Sequence, residues 1–197
     1  MARNKEIILD TVKEPASFPN VPPTFLTDET MNERKTKVLN AMKKEGFQVV
    51  AVYADKEHGS NFEYVTGFIP RFEEGLLLIE DSGKCTVILG NENLKMAPYS
   101  RAAVTLKHSP LFSLPNQPMD NEAPLEEILQ EAGLDQKNKI GLVGWKMFTT
   151  KKSDPSTYFD LPYFIVEAFK KAKHQDAEAG QCRSSFYRGR RRRTYKE

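Results

Sequence analysis

The run Phe47–Ala54, FQVVAVYA, constrains this chain more than any other stretch. It is apolar almost throughout and rich in valine. It is far shorter than the roughly 20 residues a bilayer-crossing helix requires. Such a segment predicts a strand buried on both faces, and a strand of that kind needs a covering layer on each side. Just upstream, Met31, Val38, Leu39 and Met42 recur at helical spacing, Asp28 or Thr30 stands where a cap belongs, and Gly46 ends the pattern. Helix, glycine turn and doubly buried strand together begin an α/β layer.

Further elements extend it. Tyr64–Phe68, Gly75–Glu80, Lys84–Leu89 and Ala102–Leu106 are expected strands, with Asp81-Ser82-Gly83 as a hairpin turn. Ala97–Ser100 forms a loop or short helix, and His108–Pro124 is mostly loop. A helix over Pro124–Ala132 ends at Gly133, Lys139–Val143 is a short buried strand, and Tyr158–Lys173 is a closing amphipathic helix. The alternation predicts a three-layer α/β domain with a mixed central sheet flanked by helices. Its expected core includes Val49, Val50, Val52, Tyr64, Leu77, Ile79, Ile88, Leu142, Phe164 and Ile165.

Three regions result. Residues 1–29 combine a β-like run, Glu6–Val12, with Pro15, Pro19, Pro22 and Pro23, and are expected to lie as an extended arm. Residues 30–173 form the domain, and 174–197 a basic tail expected to lack order. From Lys170 onward 10 basic residues face 3 acidic ones, which leaves 19 basic and 24 acidic residues in a mildly acidic body. A general nucleic-acid surface on the body is therefore not expected. Without a leader or a spanning segment, and with only Cys85 and Cys182, the chain is expected in the reducing cytoplasm.

The stretch Asn61-Phe62-Glu63-Tyr64-Val65-Thr66-Gly67-Phe68 follows the helix and buried strand, and Leu76–Ile79, Lys139–Phe148 and Phe159–Phe169 come after it in order. In that order, Thr30–Phe169 resembles the N-terminal domain of the creatinase, prolidase and Xaa-Pro aminopeptidase family, with its ribonuclease H-like motif. Asn61, Tyr64, Thr66, Gly67 and Phe68 carry the motif. As residues of a strand they have structural roles: Asn61 turns the chain inward, Gly67 allows a bend, and Tyr64 and Phe68 share a face. The resemblance implies a soluble, oligomeric protein whose N-terminal domain lends residues to a neighbouring subunit's substrate pocket. His58, in the preceding loop, is the candidate contact.

The same resemblance implies that catalysis belongs to a C-terminal domain, where two Asp, one His and two Glu hold two divalent ions, typically Mn2+, that activate water. This chain is expected to lack such a domain. His58, His108 and His174 are isolated from one another and from ligand-spaced acidic pairs. Ser109 beside His108 lacks the surroundings of a nucleophile, and Gly141-Leu142-Val143-Gly144 lacks the lysine and hydroxyl of a phosphate loop. Glu73-Glu74 and Glu126-Glu127 are expected as solvated faces or helix starts.

The expected function is therefore that of a truncated, non-catalytic N-terminal domain of an Xaa-Pro peptidase-like protein, serving oligomerisation and pocket shaping, with no metal or catalytic residue of its own. Its expected partner is a second copy or a full-length relative, on which it acts as a regulatory module in the rival reading. Arg188, Arg190, Arg191, Arg192 and Arg193 suit phosphate backbones, making a nucleic-acid-binding tail another rival. The abrupt change of composition after Ala172 is also what an altered reading frame produces, and nucleic acid is the less favoured partner.

Overall fold

The computed structural model describes residues 8–14, 25–120, 122–173 and 178–181. Helix α1, Asp28–Glu45, starts at Thr27, whose side chain accepts the Thr30 amide at 3.2 Å. Asp28, one of the expected caps, lies instead in the first turn, where its carboxylate faces the positive end of the helix. Gly46, at φ 75°, closes the helix in the left-handed conformation. Met31, Val38 and Met42 are the buried stripe.

Strand β1, Val49–Ala54, is buried along its whole length. It pairs antiparallel with β2, Gly75–Glu80, and parallel with β5, Lys139–Val143. Strand β3, Cys85–Leu89, returns from β2 through the Asp81–Gly83 hairpin. Strand β4, Thr105–His108, adds parallel to β3, and β6, Glu178–Gln181, adds parallel to β5. The order is β4-β3-β2-β1-β5-β6, with β2 alone running against the others. Thus the carboxyl ends of β1, β3, β4, β5 and β6 share one rim with the start of β2.

Alternating side chains divide the core between the two faces. Val49, Ala51, Leu76, Leu78 and Ile88 meet Ile128 and Leu129 of α3, Leu125–Glu131, and Ile165, Val166 and Phe169 of α4, Tyr163–Ala172. Val50, Val52, Leu77, Ile79 and Val87 meet Val38 and Met42 of α1 and Phe62 and Val65 of a further helix. The three-layer α/β arrangement with a mixed sheet is as expected.

Several local expectations are corrected. Tyr64–Phe68 is not a strand. Ser60–Thr66 is helix α2, closed by Gly67 at φ 81°. Phe62, Val65 and Phe68 recur three apart and all reach the α1-side core, so packing overrides the strand preference of Tyr, Val, Thr and Phe. The expected Ala102–Leu106 strand is displaced to Thr105–His108, which takes His108 out of the loop. A 3-10 helix spans Leu94–Tyr99. The closing helix begins only after Pro162, whose ring suits a helix start. Phe164 then points outward at 42% exposure and Tyr64 is only half-buried, while the other expected core residues are buried.

The terminal regions differ too. Described residues 8–14 contain no strand, and Ile8, Leu9 and Val12 are exposed. The arm's prolines lie outside the described residues. Strand β6 lies within the expected tail, so the sheet continues past residue 173. Its sequence, EAGQ, has none of the branched or aromatic residues that mark a strand; backbone pairing with β5 places it there. Arg188, Arg190, Arg191, Arg192, Arg193, His174 and Cys182 lie outside the described residues.

Candidate functional site

The rim at the carboxyl end of β1 collects most of the chain's unusual side-chain chemistry. Crevices at the carboxyl ends of parallel strands are where open α/β sheets commonly hold ligands. β1 delivers Tyr53 and then a tight turn. The Asp55 Oδ1 accepts the backbone amides of Glu57 and His58 at 2.8 and 2.7 Å, fixing the loop's path. The His58 Nδ1 lies 3.0 Å from both Asp55 oxygens. Those oxygens accept, so Nδ1 carries the proton and Nε2 is left facing away from the pair.

Burial pushes the Asp55 carboxyl up, but the hydrogen bonds from the His58 ring and from the His58 and Glu57 amides outweigh it and hold the group below its ordinary range. On its other side Asp55 Oδ2 lies 3.3 Å from the Tyr53 hydroxyl, whose one proton goes mainly to Glu74 at 2.9 Å. Burial, then the Glu74 and Asp55 carboxylates, push the Tyr53 phenol up, so it stays a donor. Burial also raises Glu74, with the nearby Asp55 charge adding to it and the Tyr53 bond opposing. Tyr53, Asp55, Glu74, Phe72 and Phe112 line a cleft of about 440 Å³. Phe72 is 62% exposed and holds the left-handed conformation at φ 72°, rare for a non-glycine residue.

Glu73 and Glu74 are not a solvated face. Glu73 is 4% exposed, and its oxygens accept the Glu92 amide at 2.9 Å, the Asn93 amide at 3.0 Å and Asn93 Nδ2 at 3.1 Å. The carboxylate thereby holds the turn after β3 against the start of β2. Glu126 and Glu127 do occupy a helix start, the first turn of α3.

The second half of the rim comes from the loop after β5. The His58 ring stacks on Trp145, with centroids 4.6 Å apart and planes 25° from parallel. Asp160 caps this loop by accepting the amides of Trp145, at 2.7 Å, and Lys146. Gly144 is required there, because a Cβ would lie 2.1 Å from an Asp160 oxygen. Asn61, 3% exposed, donates to the Gly144 carbonyl at 2.8 Å and so ties α2 to the same loop.

The remaining motif residues are structural in geometry. Thr66 Oγ1 lies within hydrogen-bond distance of the Phe62 and Phe68 carbonyls, at 2.9 and 3.1 Å. Phe68 packs edge-on against Phe62, and the Arg34 guanidinium covers the Tyr64 ring at 4.9 Å. Gly67 supplies the left-handed cap and makes room for Arg101. His108 is apart from His58: its Nε2 donates to Asn91 Oδ1 at 2.7 Å, since the Asn91 amide nitrogen is committed to the Pro118 carbonyl.

Of the residues singled out in the sequence, the structure brings His58 and Asn61 to this rim and sets Tyr64 and Phe68 against the α1-side core. Asp55, Trp145 and Asp160 escaped the sequence reading, and Glu74 was expected only as part of a solvated face or helix start. A signal was available for the first: an Asp three residues before a His, immediately after a buried strand, is a turn that puts the carboxylate on the ring. Trp145 and Asp160 meet only through folding.

Among the described residues no three His, Cys, Asp or Glu side chains converge to hold an ion. No helix among the described residues is long and apolar enough to cross a membrane.

Known structures place this architecture. An Xaa-Pro aminopeptidase from Streptococcus pyogenes is similar over 83% of this chain and 100% of its own, with TM-score 0.55 and 15% identity. The N-terminal domain of the cytoplasmic peptidase PepQ from Mycobacterium tuberculosis matches over 80% of this chain and 98% of its own, with TM-score 0.54 and 13% identity. This chain has the fold of the PepQ N-terminal domain. The prolidase from Pyrococcus horikoshii is similar over 79% of this chain but only 34% of its own, with TM-score 0.51 and 17% identity. The PepQ-like fold thus accounts for about a third of that enzyme's length. No family model and no curated protein matches the chain.

Proposed function

We propose that this chain acts as a non-catalytic N-terminal domain of an Xaa-Pro peptidase-like protein, supporting assembly and shaping the substrate pocket of a catalytic domain. The observation that carries this reading is the concentration of Tyr53, Asp55, His58, Glu74 and Trp145 at one rim of a fold that also makes up about a third of the Pyrococcus prolidase. A pocket wall needs side chains held in place by their own supporting contacts, and this rim has them. His58 offers an imidazole braced by Asp55 and Trp145. The exposed Phe72 and Trp145 offer apolar surface to a second copy or to a full-length relative. The reducing cytoplasm is the compartment that fits Cys85, a buried free thiol.

Two measurements test the proposal. Purified chain incubated with Xaa-Pro dipeptides and Mn2+ is expected to give no hydrolysis, and chelator-sensitive turnover would overturn the non-catalytic role. Light scattering, alone and with a full-length Xaa-Pro peptidase, is expected to give a defined dimer or hetero-complex. A strict monomer under both conditions would remove the assembly role.

A further inference from the structure

We propose that Asp55, His58 and Trp145 form a protonation-sensitive clasp joining the loop after β1 to the loop after β5. Each loop is braced separately. Asp55 holds the first through the Glu57 and His58 amides. Asp160 and Asn61 hold the second through the Trp145 and Lys146 amides and the Gly144 carbonyl. Side-chain contact between the loops is made where the His58 ring lies on the Trp145 indole, 4.6 Å between centroids. That contact changes character with one proton.

With the imidazole charged, the 3.0 Å contact to Asp55 becomes an ion pair and the ring becomes a cation over an indole face. Both changes tighten the joint. Losing the proton leaves a neutral stack and a single neutral donor. The surrounding charges bear on this balance. Lys56 and Glu57 share the His58 loop, with Tyr53 and Glu74 beyond Asp55. On the facing loop, Lys146 Nζ lies 6.0 Å from the indole centroid and Asp160 sits beneath the Trp145 amide. The joint is tight while the imidazole is protonated and Asp55 is ionised. It loosens as rising pH removes the ring proton, and again in strong acid once Asp55 takes one up. Because the Asp55 carboxyl lies below its ordinary range, the acid limit falls below where a free aspartate would set it.

The chain's single tryptophan makes the clasp directly observable. Emission of the intact protein is expected to fall on acidification as the charged imidazole quenches the stacked indole, and the step is expected to vanish in His58→Gln. Amide exchange at residues 145–148, corrected for its intrinsic pH dependence, is expected to be roughly two- to fivefold slower on the acid side, the scale of an exposed cation–π contact. His58→Gln should erase that difference. Superimposable emission profiles for the two proteins, or pH-independent exchange in the unmodified chain, would overturn the clasp. Should His58→Gln fail to fold, the His58 Cε1 proton and the Trp145 indole resonances of the unmodified protein decide: a shared midpoint supports the joint and separate midpoints refute it.

Discussion

The two faces of the sheet are built differently. On the α3–α4 side, Leu129, Ile165 and Phe169 pack against Val49, Ala51 and Leu78 through apolar surface. On the α1–α2 side, the apolar layer of Val38, Met42, Phe62 and Val65 is joined by the buried polar groups Asn61 and Thr66, both hydrogen-bonded. The first face supplies cohesion. The second also transmits position, because Asn61 reaches from the core to the loop carrying Trp145. A helix that both packs and hydrogen-bonds to a distant loop couples core geometry to the rim, whereas on the α3–α4 side the rim is reached by a strand residue, Tyr53, through Glu74 and Asp55.

The comparison is broken most severely by removing packing from the cohesive side. Phe169→Ala empties a fully buried site between α4 and the sheet and is expected to cost about 3–5 kcal/mol in urea unfolding. The rim contacts should keep their geometry in whatever fraction stays folded. On the other side, Asn61→Ala should cost about 1–3 kcal/mol by leaving the Gly144 carbonyl without its side-chain donor. Unlike Phe169→Ala, it should shift Trp145 emission in the native baseline. A native spectrum that does not change would erase the distinction between the faces.

Smaller effects sharpen it. Thr27→Ala removes the side-chain cap of α1 and is expected to lower stability by about 1 kcal/mol, with no change at Trp145. Glu74 gives the finest test. Burial raises its carboxyl in the folded state, so the unfolded chain loses its proton first. Stability contributed by this group is greatest below the ordinary glutamate value and declines as pH rises towards the folded one. Glu74→Gln should flatten that part of the stability–pH curve and favour the folded state slightly at neutral pH. A variant less stable than its parent at pH 7 would mean that the bond from Tyr53 outweighs the burial.

Legibility in the sequence followed the length of each pattern. Helix α1 carries its stripe from Met31 to Met42 and ends at a glycine, and β1 is apolar throughout, so both were readable. Helix α2 has seven residues, too few to separate a period of 3.6 from one of 2 when Phe, Tyr, Val and Thr fill it. The decisive fact, that Phe62, Val65 and Phe68 all reach one core, belongs to the folded chain. Strand β6 had no side-chain signal at all. At the rim, His58 was visible as a loop histidine beyond a buried strand. Trp145 and the Asp160 that braces it were not, because they come from a segment far along the chain and meet it only when β5 settles beside β1.

Strand β4 carries a consequence for solubility. It is the outermost strand on its side, only four residues long, with Thr105 and Leu106 exposed and Lys107 held to Glu131 at 2.6 Å. A foreign strand docking there would find few backbone groups to bond and a lysine beside them. Runaway stacking of chains through that border is discouraged by its shortness and its charge. Lengthening it or replacing Lys107 with an apolar residue would turn a guarded margin into a template for fibrils.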